Sequence, residues 1–149
     1  MSMEIRPLDD RYAVSPQITP EDIPAIAAAG FTTVIDNRPD AEIPPELHAE
    51  TLRPALEAAG ITLVVNPVVG GALTMENVEA QRAGMKAAGQ DGAGGKVLAY
   101  CASGNRSSIV WALALAGQRP TDELIAAGTQ YGYQVAQFRD LIDKLAARA

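Results

Sequence analysis

The chain has 149 residues, 48% of them hydrophobic and 20% charged, with 12 basic against 18 acidic side chains and a formal charge of -6. That length suits one globular domain spanning residues 1–149, and an acidic chain without a basic stripe is unsuited to holding a nucleic-acid backbone. One histidine and one cysteine exclude an intramolecular disulfide and a zinc site of the usual kind, and the most apolar stretch, residues 109–116, is far too short to cross a membrane.

The opening Met-Ser-Met-Glu-Ile-Arg lacks the apolar core of a secretory signal, so a cytoplasmic location is expected, without a membrane partner. In chain order, residues 11–14 read as a short edge strand or hairpin arm. Thr19-Pro20-Glu21-Asp22 then announces a helix that runs to Gly30: a threonine cap, proline at the first helical position and acids in the first turn. Residues 31–36 are a compact, β-branched apolar run and read as a buried strand.

After a proline-rich loop at 39–45, residues 46–59 carry a helical period that stops at Gly60, and 61–65 form a second buried strand. Thr74 caps a helix reaching to about residue 88. Beyond a glycine cluster at 89–95, residues 96–100 are a third buried strand and 106–116 a largely apolar helix. Helical segments near 121–128 and 135–147 close the chain. Strands alternating with helices predict an α/β fold, a mainly parallel central sheet with helices on both faces. Ligands of such sheets bind beyond the carboxyl ends of the strands, where Cys101 falls.

Cys101 opens the stretch Cys101-Ala102-Ser103-Gly104-Asn105-Arg106-Ser107. Ala102, Ser103, Gly104 and Asn105 are small or turn-forming, so the backbone can curl its N–H groups inward as a nest for an anion. The helix that starts near Arg106 adds unpaired N–H groups and the positive end of its dipole, and the Arg106 guanidinium can grip an oxyanion with two donors. A thiol in that field is expected to ionise more readily, and the hydroxyls of Ser107 and Ser108 can steady the sulfur as it forms or leaves. A cysteine after an apolar strand is commonly no more than a small buried hydrophobe. A glycine three residues on and an arginine five residues on, between a buried strand and a buried helix, favour Cys101 as a nucleophile.

Arg38 and Asp40 follow the strand 31–36 at the same sheet edge and are candidates to bind substrate, or else to pair on the surface. Asp36 reads as a loop-capping carboxylate, His48 as a solvated residue on a polar helix and Trp111 as core. Tyr131 and Tyr133 either line a pocket mouth or cap the sheet.

The string Cys101-Ala-Ser-Gly-Asn-Arg106-Ser resembles the Cys-x4-Arg loop of rhodanese-type sulfurtransferases, whose cysteine carries a persulfide. The segment Gly-His-Ile-Pro-Gly expected of rhodanese after Asp36-Asn-Arg38 is missing, however. From Tyr12 to about Gly132 the chain is similar instead to the phosphatase-like domain family found fused to beta-lactamase-type hydrolases. The matching landmarks are Val14-Ser-Pro-Gln17, Thr19-Pro-Glu-Asp22, the segment 30–39 and the cysteine loop. The resemblance implies a dual-specificity-phosphatase-like fold and, since members carry both phosphatase-like and sulfurtransferase labels, leaves the reaction open.

Two departures from Cys-based phosphatases bear on that choice. Their loop is Cys-x5-Arg, one residue longer, and their general acid is an aspartate on a neighbouring loop. The corresponding stretch here, Asn66-Pro-Val-Val-Gly-Gly-Ala-Leu-Thr74, contains no acid, and nothing in the sequence places Asp36, Asp40 or Glu76 as a substitute. Sulfane-sulfur transfer through a Cys101 persulfide is therefore favoured, ahead of phosphomonoester hydrolysis through a cysteinyl-phosphate and of oxyanion binding without catalysis. The expected partners are a small anionic substrate, a sulfur donor or acceptor, or a phosphorylated protein, with no cofactor and no metal.

Overall fold

The computed structural model describes residues 4–90 and 94–148, so the extreme amino terminus and part of the 89–95 glycine cluster lie outside the described residues. Five strands form one sheet in the order β1-β2-β5-β3-β4. They are β1 (Arg6–Pro7), β2 (Tyr12–Ser15), β3 (Phe31–Asp36), β4 (Thr62–Val65) and β5 (Lys96–Tyr100). Only β1 is antiparallel; β2, β5, β3 and β4 run parallel, which puts the carboxyl ends of three neighbouring strands beside Cys101.

Two strands take places that their sequences leave open or misstate. Residues 11–14 read as an edge strand or a hairpin arm, and β2 is the hairpin arm: it pairs antiparallel with the two-residue β1, which covers its outer side and leaves it interior. β1 is itself suited to an edge, since Pro7 has no N–H to offer a further strand. The run 61–65 reads as buried, yet β4 is the opposite edge, with Thr62 and Val65 exposed and Leu63 buried.

The helices are α1 (Ile23–Ala28), α2 (Ala49–Ala58), α3 (Met75–Ala87), α4 (Asn105–Ala114), α5 (Thr121–Thr129) and α6 (Arg139–Ala146). Alternation along β5 divides the core between the two faces of the sheet. Val97 and Ala99 face α3 to α6 with Trp111, Leu113, Leu124 and Ile142, while Leu98 and Tyr100 face α1 and α2 with Ile26, Leu52 and Leu56. α4 lies inside the first cluster, buried along its whole length from Ser107 to Ala114. Trp111 is core, stacked on Tyr12 with ring centroids 5.8 Å apart.

Three predicted helices are shorter than their patterns. The first opens as a 3-10 turn, Pro20–Asp22, before α1. The second is split: a 3-10 turn at Pro45–Leu47 precedes α2, and His48 between them is extended (φ -61°, ψ 152°). His48 is thus half-buried at a helix entrance instead of solvated on a helix, with Nε2 3.0 Å from the Ile43 carbonyl oxygen. The last helix likewise begins as a 3-10 turn, Val135–Phe138. The Thr74 cap forms as its sequence suggests, with Thr74 Oγ1 accepting from Asn77 N at 3.1 Å.

At the amino end of the sheet a cleft of about 410 Å3 is lined by Arg11, Arg82, Lys86 and Arg119 together with Asp9. α3 and α4 both end here, so their carbonyl groups and the negative ends of their dipoles draw in the cations. Arg82 Nε donates to Ala114 O at 3.1 Å, Arg11 Nη2 to Gln90 O at 2.9 Å, and Arg119 Nη1 to Asp9 Oδ2 at 3.0 Å. Among the described residues no helix is long and apolar enough to cross a membrane.

Candidate active site

Cys101 follows β5 directly and is 1% exposed. The loop turns back on it at Gly104, whose φ of 101° is a conformation that side-chain-bearing residues avoid. The turn brings Gly104 N–H to 3.1 Å from Cys101 Sγ, where it donates to the sulfur. Gly104 is required by space as well, because a Cβ there would stand 2.3 Å from the Tyr133 hydroxyl.

The loop is braced from behind by the segment that precedes α6. Tyr133 donates its hydroxyl proton to Ser103 O at 2.8 Å, Arg6 Nη1 donates to the same hydroxyl at 2.9 Å, and Gln134 N donates to Asn105 Oδ1 at 2.8 Å. Of the two roles the sequence leaves open for Tyr131 and Tyr133, the structure shows the first: both line a hollow of about 330 Å3 beside Ser103 and Asn105, and Tyr133 is a strut of the loop as well. Ser108 Oγ donates to Gly104 O at 2.8 Å, so its hydroxyl is spent on the loop backbone and not on the sulfur. Ser107 Oγ is fully buried and makes no hydrogen bond to any described group. Ala102 and Ser103 are exposed at the loop's outer rim.

Arg106, in the first turn of α4, reaches across the loop to Glu42, a residue that sequence reading passes over. Nη1 and Nη2 hold the two Glu42 carboxylate oxygens at 2.7 and 2.8 Å, and Nη1 also donates to Val68 O at 2.8 Å. Glu42 accepts from Arg38 Nε as well, at 3.2 Å. The Arg106 guanidinium holds the Glu42 carboxyl below the usual carboxylate range against a smaller opposing effect of burial, with Arg38 assisting. Glu42 in turn raises Arg106, with the Cys101 sulfur adding to the effect. The signal that could have found Glu42 is its spacing of four from Arg38, although here both lie on a loop containing a 3-10 turn, Asp40–Glu42.

The other two loop candidates separate. Arg38 belongs to the site through Glu42 and also donates to Gln17 Oε1 at 3.3 Å. Asp40 is engaged elsewhere: its Oδ1 accepts from Ala49 N at 3.0 Å, capping the start of α2. Asp36 is buried, accepts from Arg38 N at 2.8 Å through Oδ1, and has its carboxyl raised to about 6, mainly by burial.

A cavity of about 640 Å3 opens beside the loop, between Arg106 and Asn105 on one side and Val68, Val69, Leu73 and Phe138 on the other. One wall comes from the stretch Asn66–Thr74, through Val68–Gly71 and Leu73, which contains no acid, and the one carboxylate among the lining residues is Glu42. Cys101 is not among the residues that line this cavity; the buried thiol has the Gly104 N–H and the Arg106 guanidinium beside it as donors for an anion held against the sulfur.

Residues 4–118 match the family described as beta-lactamase hydrolase-like protein, phosphatase-like domain. The chain belongs to this family. A beta-lactamase hydrolase-like protein of Xylella fastidiosa is 29% identical over 138 residues, which are 91% of this chain and 31% of that one. The chain thus spans about a third of the length of that curated relative. Among solved structures, a candidate phosphatase of Neisseria meningitidis is 34% identical with a TM-score of 0.76, covering 95% of this chain and 97% of that one. A kinase-associated phosphatase with its catalytic cysteine replaced by serine superimposes with a TM-score of 0.75 at 13% identity, covering 99% and 96%. The chain therefore has the protein-tyrosine and dual-specificity phosphatase type of fold that the resemblance implies. The rhodanese side of that resemblance, and with it the preference for sulfur transfer, finds no counterpart in these relatives.

Proposed function

We propose that this domain is a cysteine-dependent phosphomonoester hydrolase, with Cys101 as nucleophile and Arg106 as the group that binds the phosphoryl oxygens. The observation that carries this reading is the convergence of Cys101 Sγ, the Gly104 N–H at 3.1 Å and the Arg106 guanidinium in a domain of a phosphatase-like family. The thiolate attacks phosphorus, the bond to the leaving oxygen breaks, and a cysteinyl-phosphate remains. Water then attacks phosphorus, the sulfur–phosphorus bond breaks, and the thiolate returns as inorganic phosphate departs. Ala102, Ser103, Gly104 and Asn105 supply the loop backbone around the equatorial oxygens, where charge builds in the transition state. The Ser107 hydroxyl, which the sequence suggests could steady the sulfur, makes no hydrogen bond to Cys101 Sγ, so the role falls to the Gly104 N–H. Arg38 keeps Glu42 in place beside Arg106.

No group in the Asn66–Thr74 wall can protonate the leaving oxygen, and Glu42 is held ionised by two arginines, so the leaving group must depart as a stable anion. Aryl phosphates, including phosphorylated tyrosine in a small molecule or a protein, meet that requirement; alkyl phosphates do not. The apolar recess of Val69, Leu73 and Phe138 suits an aromatic ring.

One observation keeps sulfur transfer as a second reading: four residues, not five, separate Cys101 from Arg106, and a persulfide needs no general acid. Intact-protein mass spectrometry after incubation with para-nitrophenyl phosphate or with thiosulfate separates the two. Release of nitrophenol with transient phosphorylation, both lost in Cys101→Ser, is the expected result. A stable gain of one sulfur atom on the wild type alone, discharged by cyanide, would replace hydrolysis by sulfur transfer.

A further inference from the structure

Gln81 is a fully buried polar residue on the core face of α3, where Val78 and Met85 are its neighbours one turn away. A glutamine in an apolar row is retained only if all its polar atoms are used, because each unmet group costs about 1–3 kcal/mol. Gln81 uses both ends. Its Oε1 accepts from Asn37 Nδ2 at 3.1 Å and from Asn66 Nδ2 at 3.0 Å, and its Nε2 donates to the Tyr12 hydroxyl at 2.7 Å.

Each of those partners stands at the root of an active-site element. Asn37 follows β3 and begins the loop that carries Arg38 and Glu42. Asn66 follows β4 and begins the acid-free wall of the cavity. Tyr12 donates in turn to Ser107 O at 3.1 Å, in the first turn of α4. The two loops are further joined by Asn37 Nδ2 to Asn66 O at 3.0 Å and by Val68 N to Asn37 O at 2.9 Å. Val68 O is the backbone acceptor of Arg106 Nη1. An unbroken line of hydrogen bonds therefore runs from Gln81 through Asn37 and Val68 to Arg106, and a second runs through Tyr12 to the helix that carries Arg106.

We infer that Gln81 is a positioning residue that sets the Arg106 guanidinium through these two lines, so that oxyanion affinity at the cysteine loop depends on a side chain buried in α3. The inference rests on the reading of Arg106 as the oxyanion-binding group. The line through Asn37 and Val68 dominates, since it ends on the guanidinium itself, whereas the Tyr12 line ends on a carbonyl of the helix backbone.

The test compares wild type with Gln81→Met, which keeps the volume and removes the polar atoms, and with Tyr12→Phe, which cuts only the second line. Inorganic phosphate is titrated by NMR, and the Arg106 side-chain Nε–H signal is followed in the ligand-free proteins, with Arg106→Lys for assignment. In Gln81→Met the Arg106 signal should shift or broaden and the phosphate Kd rise about tenfold, with Tyr12→Phe changing it less than threefold. The rate of Cys101 alkylation by neutral iodoacetamide should stay at the wild-type value, a result that general loosening of the fold would not give. An Arg106 signal and a phosphate Kd unmoved in folded Gln81→Met would overturn the positioning role. A loss in Tyr12→Phe equal to that in Gln81→Met would overturn the dominance of the Asn37–Val68 line and assign the positioning to the helix line. If wild type binds no phosphate, the reading of the site fails, and the Arg106 signal alone decides the role of Gln81. Should Gln81→Met not fold, Asn37→Asp, which removes one donor to Gln81 Oε1, carries the same comparison.

Discussion

The two ends of the sheet both gather arginines, and the contrast between them teaches what makes an anion site. At the amino end Arg11 and Arg82 donate to the carbonyls of Gln90 and Ala114, and Arg119 is held by Asp9. Those cations answer the negative ends of α3 and α4, so an incoming anion would meet dipoles of the wrong sign. At the carboxyl end the polarity is reversed. α4 begins there, the Gly104 N–H faces the sulfur, and Arg106 is held by the Glu42 carboxylate and the Val68 carbonyl. Arg106 and Arg82 are each held by one carboxylate and one backbone carbonyl, so what separates the two ends is the sign of the helix dipoles that open on them. The number of cations around a cleft says less than which ends of which helices open into it.

The sharpest way to break this contrast is to change one arginine at each end. Arg106→Lys keeps the charge but loses the paired donors, and hydrolysis of para-nitrophenyl phosphate should fall about 10²–10³-fold. Arg82→Lys should leave that rate within twofold, and thermal unfolding should show a loss of about 1 kcal/mol or less from the partly exposed carbonyl contact. A comparable fall in rate for both variants would mean that the amino-end cleft takes part in the reaction and that the contrast is wrong.

Much of this arrangement is legible in the sequence, and the part that is not has a common cause. Short continuous apolar runs and terminal glycines are local signals, so β3, β5 and the stops at Gly30 and Gly60 stand in the sequence as they do in the fold. The cysteine loop is local too. β1 escapes because two residues carry no period, and its absence leaves β2 open to reading as an edge or a hairpin arm. Glu42 meets Arg106 across 64 residues, and no pattern within a loop containing Pro39, Pro44 and Pro45 announces that meeting. Gln81 is visible as a polar residue in an apolar row, but Tyr12, Asn37 and Asn66 become its partners only when four elements converge. Asp40 shows the reverse error: at the right sheet edge by sequence, it is occupied at the start of α2.

Gly104→Ala sharpens the contrast from the backbone side. The new methyl meets Tyr133 Oη at 2.3 Å, and φ of 101° adds about 1–2 kcal/mol of strain. We expect a loss of about 3 kcal/mol in urea unfolding together with loss of phosphate binding, because the Gly104 N–H must move from the sulfur. Adding Tyr133→Phe removes the clashing oxygen and should recover part of the stability, leaving the backbone strain and the ring carbon at 2.9 Å. Full recovery would mean that the left-handed turn is not itself required.

The last comparison is between two acids at the carboxyl end. Glu42 is held ionised by two arginines, whereas Asp36, buried beside Tyr100, has its carboxyl raised to about 6 from an ordinary 3.8 because burial disfavours its charge. Its Oδ2 makes no hydrogen bond to any described group. The folded state therefore binds the Asp36 proton more tightly than the unfolded chain does. Below about pH 4 both states are protonated and the group costs nothing; between pH 4 and 6 the cost grows, and above about 6 it is complete, at most about 3 kcal/mol. Asp36→Asn keeps an oxygen for the Arg38 N–H and removes the titration. The variant should match wild type in urea unfolding at pH 4 and exceed it at pH 8 by about 1–3 kcal/mol, with the difference opening across pH 4–6. A difference that is the same at both pH values would show that the Asp36 carboxyl titrates normally. Asp36 would then be ionised, like Glu42, despite being buried without an arginine to pair with.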